Sequence, residues 1–327
     1  MTLHEHRTAS PADEHANGHV ADAASRMARL LPALLAALVS GVAVFVNGLA
    51  VRRFDDATVY TTAKNLVAGI VLAGVLVAAT WPARRSEPTP SRAEWSWLTV
   101  VALIGGAVPF VLFFEGLAMA TSTDAAFIHK TLVLWVAIGA TAALGERIGP
   151  VHLLAIALLL AGHVIVAGGV SLAGFGAGEA MIFAATLIWA VEVVIVKRLL
   201  TTVSPSWAAS ARMLGGSALL LAWLALRGDL GALGSFTTNQ WWWLALTGTT
   251  LALFVSLWYR ALALAPAIDV TAVLVIGAAV TAALNSGFRG VPVSSGTPGY
   301  VLMLLGAAMV IAFGSPTSRP DRRRVDA

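Results

Sequence analysis

The chain has 327 residues, 58% of them hydrophobic and only 12% charged, with a mean hydropathy of +0.82. A soluble domain is about 25% charged, so this composition argues for one membrane-embedded unit, in which runs of about 18 or more apolar residues are transmembrane helices. The absence of Cys excludes disulfides, thiolate catalysis and Cys metal sites, and the net charge of +4 is what basic, topology-setting loops require rather than a sign of nucleic-acid binding.

Residues 1–29 are polar and carry His4, His6, His15 and His19 without regular metal-ligand spacing, so they read as a disordered cytoplasmic tail. The first apolar run starts too late and is too long for the h-region of a cleaved signal peptide. Ten apolar segments follow, over 30–51, 58–80, 95–119, 123–144, 150–171, 178–199, 206–226, 239–263, 267–288 and 297–314. Each is near the roughly 20 residues that a spanning helix needs. The breaks between them hold loop chemistry, as in RRFDDA (52–57), RRSEPTPSRAE (84–94), GERIGP (145–150) and GFGAG (174–178). No segment alternates with period two, which argues against a β-barrel. Residues 315–327 form a basic tail.

Lys and Arg set the orientation. With the N-terminus in the cytoplasm, thirteen basic residues fall inside: Arg7, Arg26, Arg29, Arg84, Arg85, Arg92, Arg147, Lys197, Arg198, Arg319, Arg322, Arg323 and Arg324. Only Arg52, Arg53, Arg227 and Arg289 fall outside. The asymmetry predicts a multi-pass protein of the inner membrane with both termini cytoplasmic.

A shift of 145 residues lays FEGLAMATSTD (114–124) on YRALALAPAID (259–269), Trp97 on Trp242 and Gly145 on Gly290. Five spans per copy is an odd number, so the second copy enters the membrane from the opposite side. The predicted fold is therefore an all-α integral membrane protein: ten transmembrane helices arranged as two inverted five-helix repeats, 30–173 and 174–314. That layout is typical of secondary transporters with a site near the midplane.

The five-plus-five layout, FEGLAMATSTDAAFI (114–128), LGERI (144–148), LIWAVEVVIVKRLL (187–200) and YRALALAPA (259–267) resemble the drug/metabolite transporter superfamily, specifically its EamA-type ten-helix members. The resemblance implies carriage of small organic solutes across the plasma membrane, often as export driven by a proton or substrate gradient. It also implies a central cavity among spans 1, 3, 4, 6, 8 and 9. The second repeat departs from the pattern, since SGFRG (286–290) stands where the first has LGERI, without a Glu.

Charged residues inside spans point to the site. At a helix centre each costs about 2.5–3.5 kcal/mol, whereas an apolar residue returns about 0.3–0.6, so such groups face the interior, pair, or line a wet path. Lys64 and Arg212 occupy corresponding spans of the two repeats; either they hold a substrate anion or they snorkel and neutralise Glu115 and Glu192. Glu192 shares a helix face with Trp189, a carboxylate and an aromatic wall for an amine-bearing solute, unless Glu192 pairs with a basic residue of another helix. Arg260 replaces Glu115 in the second repeat, and that change of sign suits a dipolar substrate. Glu115 and Lys130 flank the turn between spans 3 and 4, as an ion pair or as a proton-coupling gate with His129 and His163. Asp124 and Asp269 read as helix N-caps, and Pro109 should kink span 3 and free a carbonyl, which is tolerated only where a partner or cavity exists. The Gly pairs 105–106, 168–169 and 215–216 read as close helix contacts.

No G-x-x-x-x-G-K-[ST], H-E-x-x-H or G-x-S-x-G motif occurs, so no ATPase or hydrolase chemistry, metal or cofactor is expected. The expected partners are a small-molecule substrate and the lipid bilayer, in a monomer or homodimer. The leading expectation is a secondary active exporter of amino acids or similar small metabolites, with proton coupling as its candidate drive. The rivals are an uptake carrier for an anionic solute and a non-transporting lipid-handling or scaffold subunit.

Overall fold

The computed structural model describes residues 11–80, 88–120, 122–166, 175–290 and 296–314, the side chains of 11–24, 79, 80, 122, 123 and 126 excepted. The end of span 5 with Gly168 and Gly169, the start of the GFGAG linker, Trp81, Arg84, Arg85 and the basic tail lie outside the described residues.

In the first repeat, span 1 is α1 (Pro11–Ala50) and span 2 is α2 (Ala57–Thr80). Span 3 is divided into α3 (Arg92–Gly106) and α4 (Val108–Met119), and span 4 into α5 (Ser122–Lys130) and α6 (Leu132–Gly139), with a closing π-turn (Ala140–Leu144). Span 5 is α7 (Pro150–Val166). In the second repeat the helices are α8 (Ala177–Leu199), α9 (Pro205–Arg227) and α10 (Thr238–Leu264). Span 9 is α11 (Ala267–Leu274) followed by α12 (Ile276–Arg289), and span 10 is α13 (Thr297–Phe313). Among the described residues, 8 helical stretches are long and apolar enough to cross a membrane, and α7 and α13 are shorter apolar helices, which together make the ten. α1 begins at Pro11, so residues 11–29, expected to be disordered, are helical; Pro at the first helical position and the Ala-rich sequence that follows favour this.

Local chemistry sets the ends. Ser91 and Glu94 form a capping box at the start of α3, and Thr237 and Gln240 form another at α10. Spans 4 and 9 both end on a left-handed glycine, Gly145 (φ 68°) and Gly290 (φ 64°), the pair that the repeat superposes.

The packing obeys the repeat. Span 1 packs on spans 8 and 9, and span 6 on spans 3 and 4; span 2 packs on span 7, and span 5 on span 10. Exchanging the two halves leaves this pattern unchanged. Six helices, spans 1, 8, 9 and 6, 3, 4, therefore enclose the centre. Small residues permit the close crossings: a Cβ on Gly216 would lie 2.6 Å from the Cα of Gly106 where α9 meets α3.

Candidate functional site

Pro109 has no N–H to offer Gly105, four residues earlier, and the helix breaks at Ala107 (φ −129°, ψ −72°). The freed Gly105 carbonyl accepts from Trp189 Nε1 and from Arg212 Nη2, each at 3.1 Å. Arg212 Nε lies 3.8 Å from Glu192 Oε1, which also accepts from the Tyr259 hydroxyl at 2.7 Å. Glu192 and Tyr259 are almost fully buried, at 1% and 0% exposure. The result is one polar hub joining spans 3, 6, 7 and 8. Trp189 carries it into a ring cluster with Phe110, Phe113 and His129, with centroids 5.1–5.7 Å away.

Spans 4 and 9 break within one residue of the same repeat position, at Thr131 and Val275. Between the two breaks lies a cavity of about 220 Å³ lined by Lys130, His163, Thr281, Asn285, Ser40 and Tyr300. Broken helices at the interface of inverted repeats are where carriers place solute and ion sites. A larger cavity between α2, α3 and α9, lined by Leu98, Trp95, Trp207 and Leu214, contains no charged side chain.

Polar tethers join the repeats at both ends of the bundle. At one end Arg227 contacts Glu115 (3.0 Å) and Asp56 (3.2 Å) of the first repeat and Asp229 (2.8 Å) beside it. These groups are partly exposed. At the other end the Glu146 carboxylate accepts from the amides of Ala267 (2.8 Å) and Ile268 (3.2 Å), capping α11. One turn away His152 Nε2 meets Asp269 at 2.9 Å, both buried. Lys197 Nζ donates to the carbonyls of Leu262 (2.5 Å) and Ala265 (2.6 Å), holding the turn between spans 8 and 9.

A sequence model of the EamA-like transporter family matches residues 28–168 and matches again over residues 176–313. The chain belongs to the EamA-like transporter family. It is thus a multi-pass membrane transporter built from two family repeats. Among solved structures, one described as "Crystal structure of protein" shares 18% identity at a TM-score of 0.70, covering 87% of this chain and 98% of that one, a likeness of fold. No curated protein matches the sequence.

In this EamA-like transporter the expected site residues separate into groups. Arg212, Glu192 and Trp189 come together in the hub, and the basic partner that Glu192 lacked on its own helix is Arg212 of α9. Lys64 stands apart: its ammonium donates to Asn47 Oδ1 (3.2 Å) and lies 5.3 Å from the Tyr60 ring centroid. Lys130 and His163 share the cavity. Glu115 and Lys130 are not a pair, because Glu115 reaches outward to Arg227 at the helix end. Arg260 is exposed between buried Tyr259 and Ala261, so it faces away from the interior; one turn from the end of α10, it can extend to the interface. Asp269 is not the cap of its helix, since Glu146 takes that role and Asp269 binds His152. His129 Nδ1 is buried without a hydrogen-bond partner.

Tyr259, Asn47, His152 and Arg227 were missed. Tyr259 had a signal, since the repeat lays it on Phe114, an aromatic pair inside the best-matching segment. Arg227 had none, because in sequence it is one more loop arginine.

Proposed function

We propose that this EamA-like transporter is a secondary active carrier that exports amino acids or similar small metabolites across the inner membrane by alternating access. The observation that carries the reading is the pair of inter-repeat tethers at opposite ends of the bundle, with a polar hub and a cavity between them. Alternating access requires one contact set to open while the other holds. Basic-residue counting puts the Glu146 end in the cytoplasm. There the buried His152–Asp269 contact and the Glu146 cap form a firm closure. The Arg227 cluster on the other face is partly exposed, and ion pairs in contact with water contribute about 0–1 kcal/mol each. The state described is thus closed firmly inside and weakly outside, ready to release a solute outward.

Charge pairing favours a carrier over a scaffold. A purely structural set of charges would pair completely, yet among the described residues neither Lys64 nor Lys130 lies in an ion pair with a carboxylate. In this reading proton exchange runs near His129, beside the hub, rather than through Glu115.

The test is flux in proteoliposomes loaded with labelled amino acids and small carboxylates, with and without an imposed pH gradient. Protein-dependent flux that Arg212→Met abolishes is expected. The carrier reading is lost if no solute of the panel crosses faster than in protein-free liposomes.

A further inference from the structure

The cavity between the two helix breaks has an unbalanced inventory of polar groups. Lys130 offers three donors and no acceptor. The Thr281 hydroxyl already donates toward Gly41 O (2.9 Å) and Gly277 O (3.0 Å), and Asn285 Oδ1 already accepts from Arg289 Nη1 (3.1 Å). One N–H of Asn285 is bound to Thr281 O, which leaves the other free. Ser40, Tyr300 and His163 complete the polar wall.

Among the described residues, none of the ion pairs joins Lys130 to a carboxylate. Glu192 is held by Tyr259 and Arg212, Asp269 by His152, Glu146 by the α11 amides and Glu115 by Arg227. A cation within a membrane-spanning segment is stable only with a partner, a wet path or a ligand. The repeat adds a second constraint. The positions that correspond to Lys130 and His163 in the second half are Val275 and Ala308, so the mirror position has no cation. The cavity's cation therefore belongs to the first half alone. Val44, Leu274 and Met303 add apolar surface to the lining. At about 220 Å³ the space is below the roughly 300–1,000 Å³ of pockets for drug-sized ligands.

We propose that this cavity binds a small organic acid, its carboxylate on Lys130 and its short apolar tail against Leu274, Met303 and Val44. The inference rests on the carrier reading and names the chemical class of its solute. The carboxylate is the shared chemistry of amino acids and of hydroxy acids, and binding separates these two sources.

The experiment is equilibrium binding to the full chain in lipid nanodiscs, with labelled L-valine and labelled 2-hydroxyisovalerate as probes. L-Valinamide, which has the same skeleton without a carboxylate, is the competitor. At least one acid binds and L-valinamide does not displace it. Lys130→Met raises Kd by about 10- to 100-fold, the loss of a hydrogen bond to a charged group. Lys130→Arg restores most of it. Ala282→Leu, which fills the cavity and keeps the charge, also removes binding and decides the matter if Lys130→Met does not fold. The proposal is overturned if neither acid binds, if L-valinamide competes equally, or if both variants keep the parent Kd. Binding without flux in liposomes would refute the carrier reading and leave the site standing. Flux with a KM indifferent to Lys130 would do the reverse.

Discussion

Arg212→Met leaves the Glu192 carboxyl without its basic partner in a dry interior. Glu192 is 1% exposed and its Oε1 lies 3.8 Å from Arg212 Nε. At an effective dielectric of about 20, charges at that separation attract by about 4 kcal/mol. Removing one partner of a buried pair costs about 3–5 kcal/mol, because the other charge stays desolvated. The Tyr259 hydroxyl still donates to Glu192 and softens the loss. A destabilisation of about 3 kcal/mol is therefore expected, read by reversible unfolding in mixed micelles. Arg212→Met combined with Glu192→Gln removes both charges and should return to within about 1 kcal/mol of the parent. The coupling between the two sites is then about 2 kcal/mol or more, well above the 0.3–0.5 kcal/mol error of additivity for independent sites. If the two costs simply add, the hub is not an ion pair and the reasoning fails. Flux divides structure from function: the double variant should be stable and inactive.

Other outcomes can be read separately. Glu146→Gln weakens the cap of α11 by about 0.5–2 kcal/mol, and a single Cys at Thr271 in this Cys-free chain should then react faster with an impermeant thiol reagent from the cytoplasmic side. An unchanged rate would mean that the cap is no gate. Arg227→Ala removes contacts worth about 1 kcal/mol or less each, and high salt should reproduce its effect on labelling from the outer side in the parent protein. Gly216→Val drives a side chain into the backbone of Gly106 and should cost at least about 1–3 kcal/mol in stability, whereas Gly231→Ala, with open space around it, should be silent.

The scaffold was legible because its signals are long and redundant. Ten apolar runs, a basic asymmetry and one shifted segment implied the inverted repeat, and Gly145 and Gly290 turned out to end their spans alike. The hub was legible in part. Pro109 announced a free carbonyl, but the donors that satisfy it stand 84 and 107 residues away, and no local pattern encodes them. Pairings failed for the same reason. Glu115 looks toward Lys130 along the sequence, yet the far end of α9 brings Arg227 to it in space. Arg260 misled because the repeat fixes position along a helix and not which face a substituted residue presents.

The same proline separates stability from function in a testable way. Span 8, the repeat partner of span 3, has Phe254 where Pro109 stands, and α10 runs unbroken. Of this pair of spans only span 3 carries a break, which argues for a purpose beyond the scaffold. Pro109→Ala would supply an N–H to Gly105 and remove a residue that costs a helix interior about 3 kcal/mol. The restored intrahelical bond competes directly with Trp189 and Arg212 for the same oxygen. A variant that is more resistant to unfolding but slower in flux is expected, because Arg212 loses the carbonyl that holds it beside Glu192. If Pro109→Ala leaves flux intact, the carbonyl does not organise the hub, and the break in span 3 must be explained by packing against α9 alone.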